Sequence, residues 1–183
     1  MRPANINLVD GVLPKGLFTE LSAFMQGPIW RYGHYSNLNH DRFSFWNSAY
    51  FDHRDAEKRD IPVVVGKVWD FLADGLLAGH VLERLYANAH TFGVEGGIHL
   101  DSKDEDCWST ILYCHPRWSA SWGGNLEIYN SDIDEVVQSV APMPNRILSF
   151  PGYLPHCARP LSRDCPELRI SLVVKTRKPR ATQ

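Results

Sequence analysis

The chain has 183 residues, long enough to bury a core of its own, with a formal net charge of −2 and an apolar fraction of 44%. That balance gives no electrostatic case for nucleic acid or an anionic membrane, and no apolar run approaches membrane-spanning length. Cys107, Cys114, Cys157 and Cys165 form no C-x-x-C pair and no apolar signal segment opens the chain. Reduced thiols in a cytoplasmic protein are therefore expected.

A short strand-like opening leads to 14–25, "PKGLFTELSAFM", whose Leu17, Leu21 and Phe24 form the stripe of an amphipathic helix ended by Gly27-Pro28. Residues 29–51 are crowded with aromatics and broken by Gly and Asn, which suits short strands and loops. The cluster Trp30, Tyr32, Phe43, Phe45, Trp46 and Tyr50 reads equally as a small secondary core or as a lid. A second helix is expected over 60–78, with Asp60 as cap, Pro62 in the first turn and Val64, Val68, Phe71 and Leu72 on its apolar face. The character then changes. Segments 80–92, 97–102, 107–115, 123–129, 135–142, 145–150 and 168–176 all read as strands punctuated by Gly, Pro, Asn and Asp. Two helices followed by many short strands predict a mostly β fold, a jelly roll buttressed by N-terminal helices. One domain over 1–183 is expected: 1–80 as support, 81–176 as the jelly-roll core and 177–183 as a basic tail. Lys175 to Arg180 reads as a solvated end, and Asp104-Glu105-Asp106 as a solvated turn.

In "GGIHLDS", His99 and Asp101 are one residue apart. On a strand they share a face while Leu100 points to the other layer. An H-x-D pair alone defines no site. His156 follows 57 residues after His99, beyond an apolar strand and a turn bracketed by Pro151 and Pro155. In a jelly roll, early and late strands become neighbours, so His156 can complete a face of three. Two His and one carboxylate leave metal positions open, as in non-heme Fe(II) oxygenases; a structural zinc site would be closed by a fourth ligand. Arg169, thirteen residues after His156, lies in the apolar run "LRISLVVKT" with Ser171 on its face. A buried guanidinium needs an anion, and its fork matches a carboxylate.

H-x-D, a distant His and then R-x-S resembles the Fe(II)/2-oxoglutarate-dependent oxygenases. "GGIHLDS … TILYCHPRWSASWGGNLEIY … PNRILSFPGYLPHCARPLSR … LRISLVVK" looks like their prolyl-4-hydroxylase-like branch, over residues 82–176. The resemblance implies a double-stranded β-helix (cupin-like) fold with Fe(II) held by His99, Asp101 and His156. It implies 2-oxoglutarate and O2 as cosubstrates, with Arg169 on the distal carboxylate, Tyr113 helping to hold it, and Asn88 beside Tyr86 as a further cosubstrate contact. The interval from His156 to Arg169, which carries "SRDCPE", is longer than in several members. Asp101 fills the position that a halogenase leaves vacant. The implied activity is hydroxylation of an unactivated C–H bond with release of succinate and CO2.

A small-molecule substrate (an amino acid, a natural-product intermediate or similar) is the first reading, since the chain is compact and carries no peptide-binding extension. Hydroxylation of a protein residue, prolyl or other, is the alternative, and a non-catalytic jelly-roll binding or sensing module is the alternative of another class. Nucleobase repair is disfavoured, because the strand continues Val173-Val174-Lys175 where a second Arg is expected. His90 and His115 read as packing. His34, His40 and His53 read as surface positions, with substrate contact by one of them left open. Trp108, Trp118 and Trp122 read as packing, Trp122 with a place at the pocket edge. The pairs Gly96-Gly97 and Gly123-Gly124 read as sheet bends, since neither opens a helix with a P-loop lysine.

Overall fold

The computed structural model describes residues 5–36, 44–55 and 60–179. The elements run β1 (Asn7–Val9), α1 (Lys15–Met25), β2 (Arg31–His34), β3 (Phe45–Asp52), α2 (Val63–Ala73), β4 (Val81–His90), β5 (Cys107–Tyr113), β6 (Leu126–Tyr129), β7 (Val136–Val140), β8 (Ile147–Pro151), β9 (His156–Ala158) and β10 (Arg169–Arg177). A seven-stranded sheet has the order β1-β8-β5-β10-β4-β3-β2, and a three-stranded sheet the order β7-β6-β9. Every pairing between these strands is antiparallel. This is the expected jelly roll, mostly β with a small helical buttress.

β10 is the middle strand of the large sheet, and period-two alternation gives it two faces. Ile170, Leu172 and Val174 join Leu85, Ala87 and Ala89 of β4 in one core with Leu21 and Met25 of α1 and Val65, Val68 and Leu72 of α2. Each Leu, Ile, Val or Met side chain among them contributes roughly 1.5–3 kcal/mol by leaving water, which fixes the helices to this face. On the other face, Ile111, Tyr113, Leu148 and Phe150 pack with Leu126, Ile128 and Val140 of the small sheet. The site lies on this inner face.

Several local expectations need correction. Residues 97–102 form no strand: His99 makes a single bridge to His156, and Leu100 is 44% exposed instead of facing a second layer. Asp60 does not cap α2, which starts after Pro62 with no side-chain cap, and Phe71 is 40% exposed. The supposed solvated tail is partly core. Lys175 and Thr176 are buried, and Arg177 pairs with Glu83, Asp104 and Asp106, so the acidic turn is not simply solvated. The three-residue β9, which carries His156, was not among the expected strands.

The aromatic N-terminal cluster divides between packing and pocket. Tyr50 belongs to the helix-side core, Trp30 and Trp46 pack against it, and Tyr32 lies exposed against Trp46 at 5.1 Å between rings. Phe45 is buried and lines the inner cavity. Phe43, His40 and Arg180 lie outside the described residues. Among the described residues no helix is long and apolar enough to cross a membrane, and all four cysteines are free thiols.

Candidate metal and cosubstrate site

His99 and Asp101 sit on a loop that the backbone straps to the segment before β9. His99 and His156 exchange both N–H···O bonds, at 3.1 and 3.0 Å, and Gly152 O accepts from Asp101 N at 2.9 Å. Convergence of the two residues therefore comes from a bridge to 152–156, not from strand periodicity. Ligand-type atoms of His99, Asp101 and His156 all lie within 4.8 Å of one another. Nε2 of His99 is 3.5 Å from Asp101 Oδ1, and Nε2 of His156 is 3.2 Å from Oδ2.

The imidazoles are oriented by main-chain carbonyls. His99 Nδ1 lies 2.7 Å from Gly97 O and His156 Nδ1 2.9 Å from Leu154 O. A carbonyl can only accept, so each Nδ1 donates to its carbonyl and each Nε2 is left facing Asp101. Burial pushes the Asp101 carboxyl up, but Lys175 and the two histidines outweigh it and hold it well below the usual carboxylate range. Burial pushes His156 down, with Asp101 opposing. Two imidazole Nε2 atoms and one carboxylate, pre-aimed at a common point, fit a divalent ion of the iron type.

Further along the inner face is Arg169, 2% exposed. Its Nε donates to Gly124 O at 2.6 Å, its Nη2 lies 3.5 Å from the Tyr113 hydroxyl, and its Cζ is 5.1 Å from the Tyr113 ring centre. Among the described residues no carboxylate is within ion-pair distance of it. A buried guanidinium without an anion is costly, so the pocket suits a carboxylate-bearing ligand. Gly124 makes the approach possible: at φ +73°, a Cβ there would sit 3.1 Å from Arg169 Cδ and 3.2 Å from Trp118 Cζ2.

Metal-site and guanidinium groups share one cavity of about 180 Å³, which Tyr86, Asn88, His99, Asp101, His156 and Arg169 help to line. Asn88 accepts from Asn47 Nδ2 at 2.8 Å. Tyr113 touches Arg169 and is otherwise packed between the sheets.

Of the residues read as packing, His115 is core: it donates from Nε2 to Pro142 O at 2.5 Å and accepts at Nδ1 from Ile170 N at 3.2 Å. His90 is more than packing. It pairs across the sheet with Arg169, lines the cavity, and is pushed down to about 3 by burial and then by Arg169. Among the described residues its Nδ1 has no hydrogen-bond partner. His34 also lines the cavity, whereas Trp118 and Trp122 stack edge to face at 5.5 Å behind Arg169's support. Sequence reasoning missed Lys175, which lies on Asp101 and on Ser109 Oγ at 3.0 Å. The signal was available, because 169, 171, 173 and 175 share one face of a strand.

A family model described as the 2OG-Fe(II) oxygenase superfamily matches residues 86–174, the segment that carries Asn88, His99, Asp101, Tyr113, His156 and Arg169. The core of this chain belongs to that superfamily. Fe(II), 2-oxoglutarate and O2 are accordingly the cofactor and cosubstrates of this oxygenase. No curated protein matches the sequence. Among solved structures the oxygenase is similar to a Pseudomonas putida prolyl-4-hydroxylase, at 21% identity and TM-score 0.65 over 97% of this chain and 95% of that one. It is similar to a 2OG-Fe(II) oxygenase family oxidoreductase from Burkholderia pseudomallei, at 11% identity and TM-score 0.73 over 95% and 85%. A Trichoplax adhaerens prolyl hydroxylase, in complex with a hypoxia inducible factor peptide, shares 15% identity at TM-score 0.63 over 96% and 84%. These likenesses establish a common fold.

Proposed function

We propose that this oxygenase hydroxylates an unactivated C–H bond of a small molecule. His99, Asp101 and His156 hold Fe(II), Arg169 binds the distal carboxylate of 2-oxoglutarate with Tyr113 behind it, and Asn88 borders the cosubstrate. With iron bound, one oxygen atom of O2 enters the C–H bond and the other goes to succinate as 2-oxoglutarate loses CO2, so electrons and atoms balance. The chain's own part is positional. The carbonyls of Gly97 and Leu154 aim the two imidazoles, Gly124 O steers Arg169, and apolar Ile111, Leu126 and Val173 limit water around the reacting carbon. A single observation carries the reading: a buried Arg169 without an anion shares a small cavity with a pre-aimed two-His, one-Asp cluster. We read 1–183 as one such domain, since β1, β2 and β3 belong to the same sheet as the core strands. The free thiols support a cytoplasmic setting.

Hydroxylation of a peptide is the second reading. It is favoured by a further cavity of about 500 Å³ that shares His34, Arg84 and Tyr86 with the first and extends the space along β3.

Anaerobic titration with Fe(II) and 2-oxoglutarate tests the site, with His99→Ala as control. A visible charge-transfer band in the wild type that vanishes in the control is expected. Its absence in a folded, iron-binding protein would favour a non-catalytic jelly-roll module. Succinate release against panels of small molecules and proline-containing peptides then separates the two substrate readings.

A further inference from the structure

The inner face of β10 carries a second cation, Lys175, six residues beyond Arg169. It is buried, and the register places it opposite Ser109 on β5 and Arg84 on β4. Its Nζ ion-pairs with Asp101 Oδ2 and donates to Ser109 Oγ at 3.0 Å. Ser109 Oγ donates to the same Oδ2 at 2.5 Å. The two oxygens of Asp101 are therefore unequal. Among the described residues, Oδ2 accepts from two donors on adjacent strands, whereas Oδ1 has only His99 beside it, at 3.5 Å.

The inequality matters because a carboxylate can bind a metal through one oxygen or both. Oδ2 is 3.2 Å from His156 Nε2, close enough to the centre to join Oδ1 there if it were free. Two imidazoles and one carboxylate oxygen leave three positions of an octahedral ion, enough for a chelating cosubstrate and O2. A second carboxylate oxygen would take one of the three. A lysine beside a cation site also repels the cation, so stronger metal binding does not account for its position.

We propose that Lys175, with Ser109, is a positioning residue that holds Asp101 Oδ2 away from the iron, so that Asp101 binds through Oδ1 alone and the position for 2-oxoglutarate stays open. The proposal rests on the metal-centre reading above. It makes a signed distinction: removing the Lys175 cation leaves metal affinity unchanged or tighter while cosubstrate affinity falls.

The test uses the full chain loaded anaerobically with Co(II), whose visible bands report coordination number. In Lys175→Met, Co(II) affinity equals or exceeds that of the wild type, the bands shift toward higher coordination before any cosubstrate is added, and 2-oxoglutarate binds about ten-fold or more weakly. Lys175→Arg restores both bands and affinity. Arg169→Ala also weakens 2-oxoglutarate but leaves the Co(II) bands as in the wild type, which separates the two cations. Should Lys175→Met not fold, Ser109→Ala removes the other donor to Oδ2 and shows the same two shifts at smaller size. Parallel loss of Co(II) and 2-oxoglutarate binding would make Lys175 a general prop and overturn the proposal, as would wild-type bands and affinity in the variant that folds. Failure of the wild type to take up Co(II) would overturn the metal-centre reading and this proposal with it; normal uptake confines a failure to Lys175.

Discussion

The two faces of β10 are both buried, yet they follow different rules. Outward, Ile170, Leu172 and Val174 meet the helices through apolar contact alone, where shape and volume are what matter. Inward, Arg169 and Lys175 bring charged groups to partners on β5 and two distant loops. The outer face stabilises the fold. The inner face spends some of that stability on buried charges, one with an ion-pair partner and one without.

The sharpest break of this contrast is at the metal cluster: His156→Ala should reduce Fe(II)-dependent turnover to background, and retained succinate formation would remove His156 from the centre. On the outer face, Leu172→Ala should cost about 2–5 kcal/mol of unfolding free energy while 2-oxoglutarate affinity stays within a few-fold. Urea unfolding and cosubstrate titration on one sample check both halves. Arg169→Met should do the reverse. Losing one partner of a buried charge pair costs roughly 2–5 kcal/mol in cosubstrate binding, while the ligand-free protein holds or gains stability because an unpaired buried charge is gone.

The smallest effect per residue concerns pH. Burial chiefly holds His90 at about 3 and His115 at about 4, against an ordinary value of 6.5. An unfolded chain takes up a proton at each imidazole as pH falls through 6.5, while the native fold takes up neither until far lower. The unfolded state then binds more protons, so stability falls as pH drops below 6.5. By pH 5 the loss is about 2 kcal/mol for each histidine. Urea unfolding at pH 7 and pH 5 measures it, and His115→Gln should remove about half of the combined loss; an undiminished loss in the variant would clear His115.

The outer face was the legible one. The apolar stripes of α1 and α2 follow from helical periodicity, and the long strands β4, β5 and β10 from runs of strand-forming residues bounded by turn signals. His99, Asp101, His156 and Arg169 were legible through residue chemistry and the family resemblance, and the structure brings them into one cavity. What escaped has non-local causes. β9 has three residues, too few for a period, and is held by β6 and the bridge to His99. The 97–102 stretch mimics a strand because its two ligands alternate, although a loop positions them. Lys175 read as a tail because Asp101, 74 positions away, is what makes it interior.

The reciprocal backbone bridge between His99 and His156, with Asp101 N fastened to Gly152 O, has a consequence for maturation. Under the metal-centre reading proposed above, the three side chains are carried by main-chain hydrogen bonds, so metal would enter a frame that folding has already built.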